Sequence, residues 1–274
     1  MSIPPETIPV AVVIPCFRCK DVIPRAVKSV ERQTALPAEI ILVDDCSEDG
    51  TLEALKGIAA RYPAGWVKVV ALKRNGGPGS ARNAGWEAAS AAYVAFLDAD
   101  DAWHPRKLEI QHGWMQAHPH ASICGHGTTV LSDPPRFPDL SPSWSARRIG
   151  KLQIFFCNSL PLRSVMLRRD LPLRFAPDQF HAEDYFLWMH AILTDRELWR
   201  LPLRLACSFK PDFGARGLSA RLWAMERGEL QVYRALYRES LAPAWLLSAA
   251  TAFSFLKFLR RCVISMLWSW RKPS

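Results

Sequence analysis

The chain has 274 residues, 49% of them hydrophobic and 22% charged, enough for one large α/β domain with an accessory segment or for two small domains, and the balance excludes a disordered chain. A formal net charge of +9 points to anionic partners, which charge alone leaves open among nucleic acid, acidic lipid and phosphate-bearing substrates. The seven cysteines (16, 19, 46, 124, 157, 207, 262) are scattered and odd in number, which argues against a secreted disulfide framework and for a reducing, cytosol-facing location.

Met1 to Pro9 lacks a basic start followed by an apolar run, so no signal peptide is indicated. Strand-like, β-branched runs then occur at Val10 to Ile14, Ile40 to Val43, Val67 to Leu72 and Tyr93 to Leu97. Helix candidates begin between them near Asp21, Gly50 and Gly79. This alternation reads as a parallel sheet covered on both faces, and ligands of such sheets bind beyond the carboxyl ends of the strands. Each of the four runs does end in a polar or glycine-rich segment: Pro15-Cys16-Phe17, Asp44-Asp45-Cys46-Ser47, Lys73 to Gly79, and Asp98-Ala99-Asp100-Asp101. A helix is expected from about Pro105 to Ala117, a Pro/Ser-rich loop from Asp133 to Ser143, a strand from Leu160 to Arg169, a helix from Glu183 to Leu193 and a strand near Leu201 to Phe209. Beyond Leu218 the pattern is helical to the end.

Asp98 and Asp100 project on the same side if the strand Tyr93 to Leu97 continues into them. Two such carboxylates suit Mg²⁺ or Mn²⁺, which accept hard oxygen ligands and keep positions open for substrate phosphates; the alternative is an acidic turn before the next helix. Asn75-Gly76-Gly77-Pro78-Gly79-Ser80-Ala81-Arg82-Asn83 leads from a strand into a helix, a junction that presents backbone N–H groups to phosphate, with Arg82 adding charge. The dinucleotide-binding fingerprint fits less well, because Arg82 stands where its third glycine belongs. Asp44 and Asp45 read either as a turn and helix cap or as acceptors for a nucleobase N–H. Glu183-Asp184 lies among His181, Tyr185, Phe186 and Trp188, where partial burial raises a carboxylate toward the pKa of a general base; the plain alternative is an acidic first helical turn. Cys16-Phe17-Arg18-Cys19 has redox or zinc spacing, but no second pair follows it. The basic residues are dispersed and many of the tryptophans lie in apolar helical segments, so nucleic-acid binding is not expected.

Taken together, Val12-Val13-Ile14-Pro15-Cys16-Phe17, Val43-Asp44-Asp45-Cys46-Ser47-Glu48-Asp49-Gly50-Thr51, Asn75 with Ala81-Arg82-Asn83-Ala84-Gly85, and Phe96 to Asp101 with Trp103 and Pro105 resemble the family 2 glycosyltransferases of the GT-A fold. The resemblance is strong through about Pro119 and weaker through Glu183-Asp184 to Gly214-Ala215-Arg216-Gly217-Leu218-Ser219. It implies an α/β fold: a GT-A, Rossmann-like domain over 1–217 with a mostly parallel central sheet flanked by helices, its nucleotide half about 1–120 and acceptor half about 121–217, followed by a helical segment over 218–274.

It further implies a nucleoside-diphosphate sugar donor, a UDP-sugar by preference, and a glycan or lipid-linked acceptor in envelope or exopolysaccharide assembly. Pro15, Phe17, Asp45, Asn75, Arg82 and Asp98 would bind the nucleotide or its sugar, Asp100 the Mn²⁺ or Mg²⁺, and Asp184 would be the inverting catalytic base, with His181 a possible further metal ligand. The Q-x-x-R-W signature of processive synthases is missing, which favours single-sugar transfer. A nucleotidyltransferase would need a basic glycine-rich loop where Pro15-Cys16-Phe17 stands, and a non-catalytic nucleotide-sugar-binding protein would not need every acidic position.

Leu241 to Leu256 is an uncharged run shorter than the ~20 residues that cross a bilayer. Around Lys257, Arg260 and Arg261 a basic stripe sits beside a wide apolar face, as an interfacial helix on an anionic membrane surface requires. Packing on the domain or against a second copy is the alternative.

Overall fold

Side-chain alternation along the first strands puts two apolar sets on opposite faces of one sheet, and each set recruits its own helices. The computed structural model describes residues 7–176, 181–210 and 222–270. Its first part runs β1 (Thr7–Cys16), α1 (Ile23–Glu31), β2 (Leu36–Asp44), α2 (Thr51–Ala59), β3 (Val67–Ala71), α3 (Gly77–Ala88) and β4 (Tyr93–Phe96). On one face Val10, Val12, Ile14, Ile40 and Leu42 pack against Ile23, Val27 and Val30 of α1 and Leu55 of α2. On the other, Ala11, Val13, Ile41 and Val43 pack with Trp86 of α3. A strand buried on both faces must be apolar throughout, which is why these runs show no polar alternation.

The second part runs β5 (Ala102–Trp103), α4 (Lys107–Ala117), β6 (Ala121–Val130), β7 (Arg147–Arg148), α5 (Lys151–Phe156), a 3-10 turn at Leu162–Ser164, β8 (Met166–Arg168), α6 (Glu183–Leu193) and β9 (Glu197–Ser208). The strands form one sheet in the order β3-β2-β1-β4-β8-β6-β9-β5, with β7 on β9. Parallel pairing joins β1 to β2 and β4, β2 to β3, and β6 to β9. Antiparallel pairing joins β8 to both β4 and β6, so β4, β6 and β9 point the same way. The carboxyl ends of β1, β2, β4 and β9 therefore share one edge, the position expected for a ligand.

The helix expected from Glu183 to Leu193 is present with those bounds. The strand expected over Leu160 to Arg169 is confined to Met166–Arg168, because Pro161 opens the 3-10 turn at Leu162–Ser164. Gly85 lets α3 lie directly on the sheet: a Cβ there would collide with Val13 and come within 3.0 Å of Val43 Cγ2.

The C-terminal segment forms α7 (Leu222–Arg238) and α8 (Ala244–Trp270), separated by Ser240 with φ 55° and Pro243. Two members of the expected basic stripe face inward: Lys257 Nζ lies 3.1 Å from Glu229 Oε2, and Arg261 Nη2 lies 3.1 Å from the buried Glu226 Oε2. Among the described residues no helix is long and apolar enough to cross a membrane. The segment Gly214 to Ser219 lies outside the described residues.

Candidate active site

A cleft of about 660 Å³ opens at the shared carboxyl edge. Pro15 and Phe17 from the end of β1, Asp45 after β2, Asn75 and Arg82 around the start of α3, and Asp98 and Asp100 after β4 all line it. Seven of the eight residues assigned to the nucleotide, metal or base thus meet in one place, and His181 lines the cleft with them. The eighth, Asp184, stands in the first turn of α6 beside the cleft-lining Glu183 and is not among the described residues of the wall.

The loop from β3 into α3 is held from below by Asp45, whose Oδ1 and Oδ2 accept hydrogen bonds from the N–H groups of Gly76 and Gly77, both at 2.9 Å. Asn75 Nδ2 donates to the Asp45 carbonyl at 3.1 Å. Gly77 sits at φ 79°, which glycine alone adopts freely, and Pro78 sets the first helical turn. Burial raises the Asp45 pKa, against the opposing pull of the two glycine N–H groups. Phe17, nearly half exposed, stands at the mouth.

Arg82 ties the two sides of the cleft together. Its Nη1 donates to Glu183 Oε1 at 2.6 Å and its Nη2 to Asp98 Oδ1 at 2.8 Å, while its Nε is buried without a hydrogen-bond partner. Burial disfavours its charge, but Asp98 and Glu183 outweigh that and raise its pKa. Asp98 is correspondingly held low: burial pushes it up, and Arg82 and Arg163 more than reverse the push.

The sequence reading missed the other cations. Lys210, just past β9, pairs with Asp100 Oδ2, and Arg163 Nε lies 2.7 Å from Asp101 Oδ2. Asp101 is pushed up to about 8 by burial, opposed by Arg163 and reinforced by Asp98 and Asp100. Reading Leu160 to Arg169 as strand hid Arg163, which the 3-10 turn delivers to the cleft. A charged residue directly after an apolar strand was the available signal for Lys210.

Glu183 and Asp184 are adjacent yet face different surroundings, as neighbours about 100° apart on a helix must. Glu183 is taken by Arg82. Asp184 accepts from the Tyr185 N–H at 2.7 Å and lies 3.5 Å from Asn158 Nδ2. Burial, then the Glu183 charge, raises Asp184 to about 7, against Arg82 and the two donors. Ala182, immediately before them, is held at φ 58°, and Arg18 and Cys46 at the same edge also have positive φ. Such backbone strain in non-glycine residues gathers at functional sites. Cys16 and Cys19 line the cleft as free thiols, and burial pushes the Cys16 thiol well up, the opposite of a reactive thiolate.

Residues 11–163, more than half of the chain, match the family model described as "Glycosyl transferase family 2". The succinoglycan biosynthesis protein ExoO of Rhizobium meliloti is 40% identical over 36% of this chain and 27% of its own length. An Escherichia coli protein, UDP-Glc:alpha-D-GlcNAc-diphosphoundecaprenol beta-1,3-glucosyltransferase WfgD, is 26% identical over 73% of this chain and 75% of its own. The chain spans less than half the length of several curated relatives it matches. Among solved structures, the mannosyltransferase PcManGT of Pyrobaculum calidifontis, in complex with GDP-Man and Mn²⁺, superposes with a TM-score of 0.66 at 18% identity, covering 95% of this chain and 76% of that one. At that identity the likeness speaks for the fold, which is GT-A. With the family match over 11–163 covering most of β1, all of β2, β3 and β4 and the Asp98 to Asp101 cluster, the chain belongs to glycosyl transferase family 2.

Proposed function

We propose that the chain is an inverting glycosyltransferase that moves one sugar from a nucleoside-diphosphate sugar, a UDP-sugar by preference, to a hydroxyl of a glycan or lipid-linked acceptor in envelope or exopolysaccharide assembly. The observation that carries this reading is the Asp98–Arg82–Glu183 bridge, which joins the carboxylate cluster after β4 to the helix that holds Asp184. This reading assigns the nucleotide to a half over about 1–120 and the acceptor to a half over about 121–217, with a separate C-terminal segment over 218–274. Relatives named for envelope polymers and for a diphosphoundecaprenol-linked acceptor support the assignment.

In this reading Phe17 and Pro15 flank the base, and Asp45, already accepting from two backbone N–H groups, keeps a lone pair on each oxygen for a nucleobase N–H. Asn75 holds that loop in place. Arg82 keeps Asp98 ionised beside the donor ribose and sugar and places positive charge near the diphosphate. Lys210 and Arg163 hold further positive charge at the same end of the cleft.

In this reading Asp100, whose Oδ2 is paired with Lys210, would exchange that contact for a divalent cation when the donor binds. Asp100 is partly exposed toward the cleft and offers hard oxygen donors. Among the described residues no three His, Cys, Asp or Glu converge as a metal cluster, so the remaining positions fall to phosphate and water, as Mg²⁺ and Mn²⁺ accept. When bound, such an ion supplies Lewis-acid neutralisation of the departing diphosphate.

Asp184 has the properties of the base. Raised to about 7, it is partly ionised at neutral pH and basic enough to accept a proton. Freedom from the Arg82 contact leaves it available to an acceptor hydroxyl, whereas Glu183 is engaged. Attack of the deprotonating hydroxyl opposite the leaving group inverts the anomeric centre. A thermal-shift screen with UDP-, GDP- and dTDP-sugars in the presence of Mn²⁺ tests the donor assignment: a UDP-sugar stabilises the protein most, and the absence of any shift with all three contradicts it.

A further inference from the structure

Helix α8 buries one side and leaves the other bare. Leu246, Leu247, Ala250 and Ser254 are buried, while Trp245, Leu256, Leu259 and Val263 are 69%, 63%, 46% and 55% exposed. The exposed four, with Ala252 between them, follow a helical phase and make one stripe. Of the α8 residues whose side chains are described, Arg260 is the only charged one classed as exposed, since Lys257 and Arg261 are turned toward Glu229 and Glu226.

The stripe is continuous with the acceptor side of the candidate site. Phe253 packs edge-on against Phe156 at the end of α5, with ring centroids 5.4 Å apart. Phe156 and Leu152 on α5 are themselves 36% and 62% exposed. Two residues beyond Phe156, Asn158 Nδ2 approaches Asp184 Oδ2 at 3.5 Å. An apolar ridge therefore runs from α8 across α5 to the edge of the candidate base.

We infer that this α5–α8 ridge is the surface on which the protein lies on a lipid bilayer, oriented with the Asp184 side toward the headgroups. The inference rests on the sugar-transfer reading for its purpose, because an acceptor with a lipid anchor presents its hydroxyl at that surface. Charge supports lipid over a second copy: the chain is +9 overall, α8 has three cations and no carboxylate, and the one not paired with a glutamate of α7, Arg260, is exposed, which suits an anionic surface. With two of those cations already paired, apolar insertion carries most of the binding and charge adds a preference that salt removes.

The test is flotation of the full chain with phosphatidylcholine vesicles, with and without phosphatidylglycerol, at low and high salt. Wild type floats with both compositions, and high salt removes only the extra binding to the anionic vesicles. The variant Leu256→Ser/Leu259→Ser/Val263→Ser, checked for an unchanged thermal midpoint, floats at least roughly tenfold less, as loss of three inserted side chains requires. Wild type that stays in the soluble fraction, a folded variant that floats as well as wild type, or a dimer in sedimentation that the variant dissolves would each overturn the inference. Flotation needs no turnover, so protein that floats but transfers no sugar supports the docking face while refuting the enzymatic reading.

Discussion

Replacing Arg82 by Met tests the bridge at the centre of the site. Arg82 is 5% exposed and holds Asp98 at 2.8 Å and Glu183 at 2.6 Å, so its loss leaves two carboxylates of the cleft without their common cation. Removing one partner of a buried ion pair costs about 3–5 kcal/mol. Asp98 retains 28% side-chain exposure, which places the expected loss near the lower end, about 3 kcal/mol. The sign with pH follows from the Asp98 pKa, which Arg82 and Arg163 hold below its ordinary value. Its contribution is present above the unfolded pKa and lost as pH falls through the folded one. In the variant Asp98 takes up its proton at higher pH than in wild type, so the penalty is largest near neutrality and shrinks toward about pH 4. Urea unfolding of both proteins across that range measures it, and Arg82→Met/Glu183→Gln recovers part of the loss. A penalty under about 1 kcal/mol, or one independent of pH, refutes the reasoning.

Three further outcomes follow from particular contacts. Asp100→Asn weakens Mn²⁺-dependent nucleotide binding and lowers donor turnover; full activity of this variant in EDTA contradicts the metal assignment. Gly85→Ala forces a methyl group against Val13 and Val43 and destabilises the fold by roughly 1–3 kcal/mol in urea titration. Lys107 is fully buried, its Nζ without a hydrogen-bond partner and 3.8 Å from the Trp103 ring, and burial pushes its pKa well down. Lys107→Met removes that desolvation and raises stability by about 1 kcal/mol; a lower melting temperature refutes this.

The parallel strands were legible because burial on both faces leaves a run such as Val10 to Ile14 with no polar residue to obscure it. β6 was not legible. Its centre, Gly125-His126-Gly127, has poor strand propensity, and Gly125 is small for a long-range reason: a Cβ there would meet Leu160 and Ser164. The cleft residues at strand ends were found from local motifs, but their partners were not. Lys210 lies 110 residues from Asp100 and Glu183 lies 101 from Arg82, separations over which spacing carries no signal. Likewise, adjacency made Glu183 and Asp184 equivalent on paper, and only the three-dimensional contacts distinguish the carboxylate held by Arg82 from the one beside Asn158.

The most direct test of the account is NMR of the anomeric proton during transfer from a UDP-sugar, run with wild type and Asp184→Asn across pH. The account predicts an inverted product and a wild-type rate that rises with pH through about 7 as Asp184 loses its proton. It also predicts a drop of roughly a hundredfold or more in Asp184→Asn with donor binding intact. Retention of anomeric configuration, or near-wild-type transfer by Asp184→Asn, would contradict it.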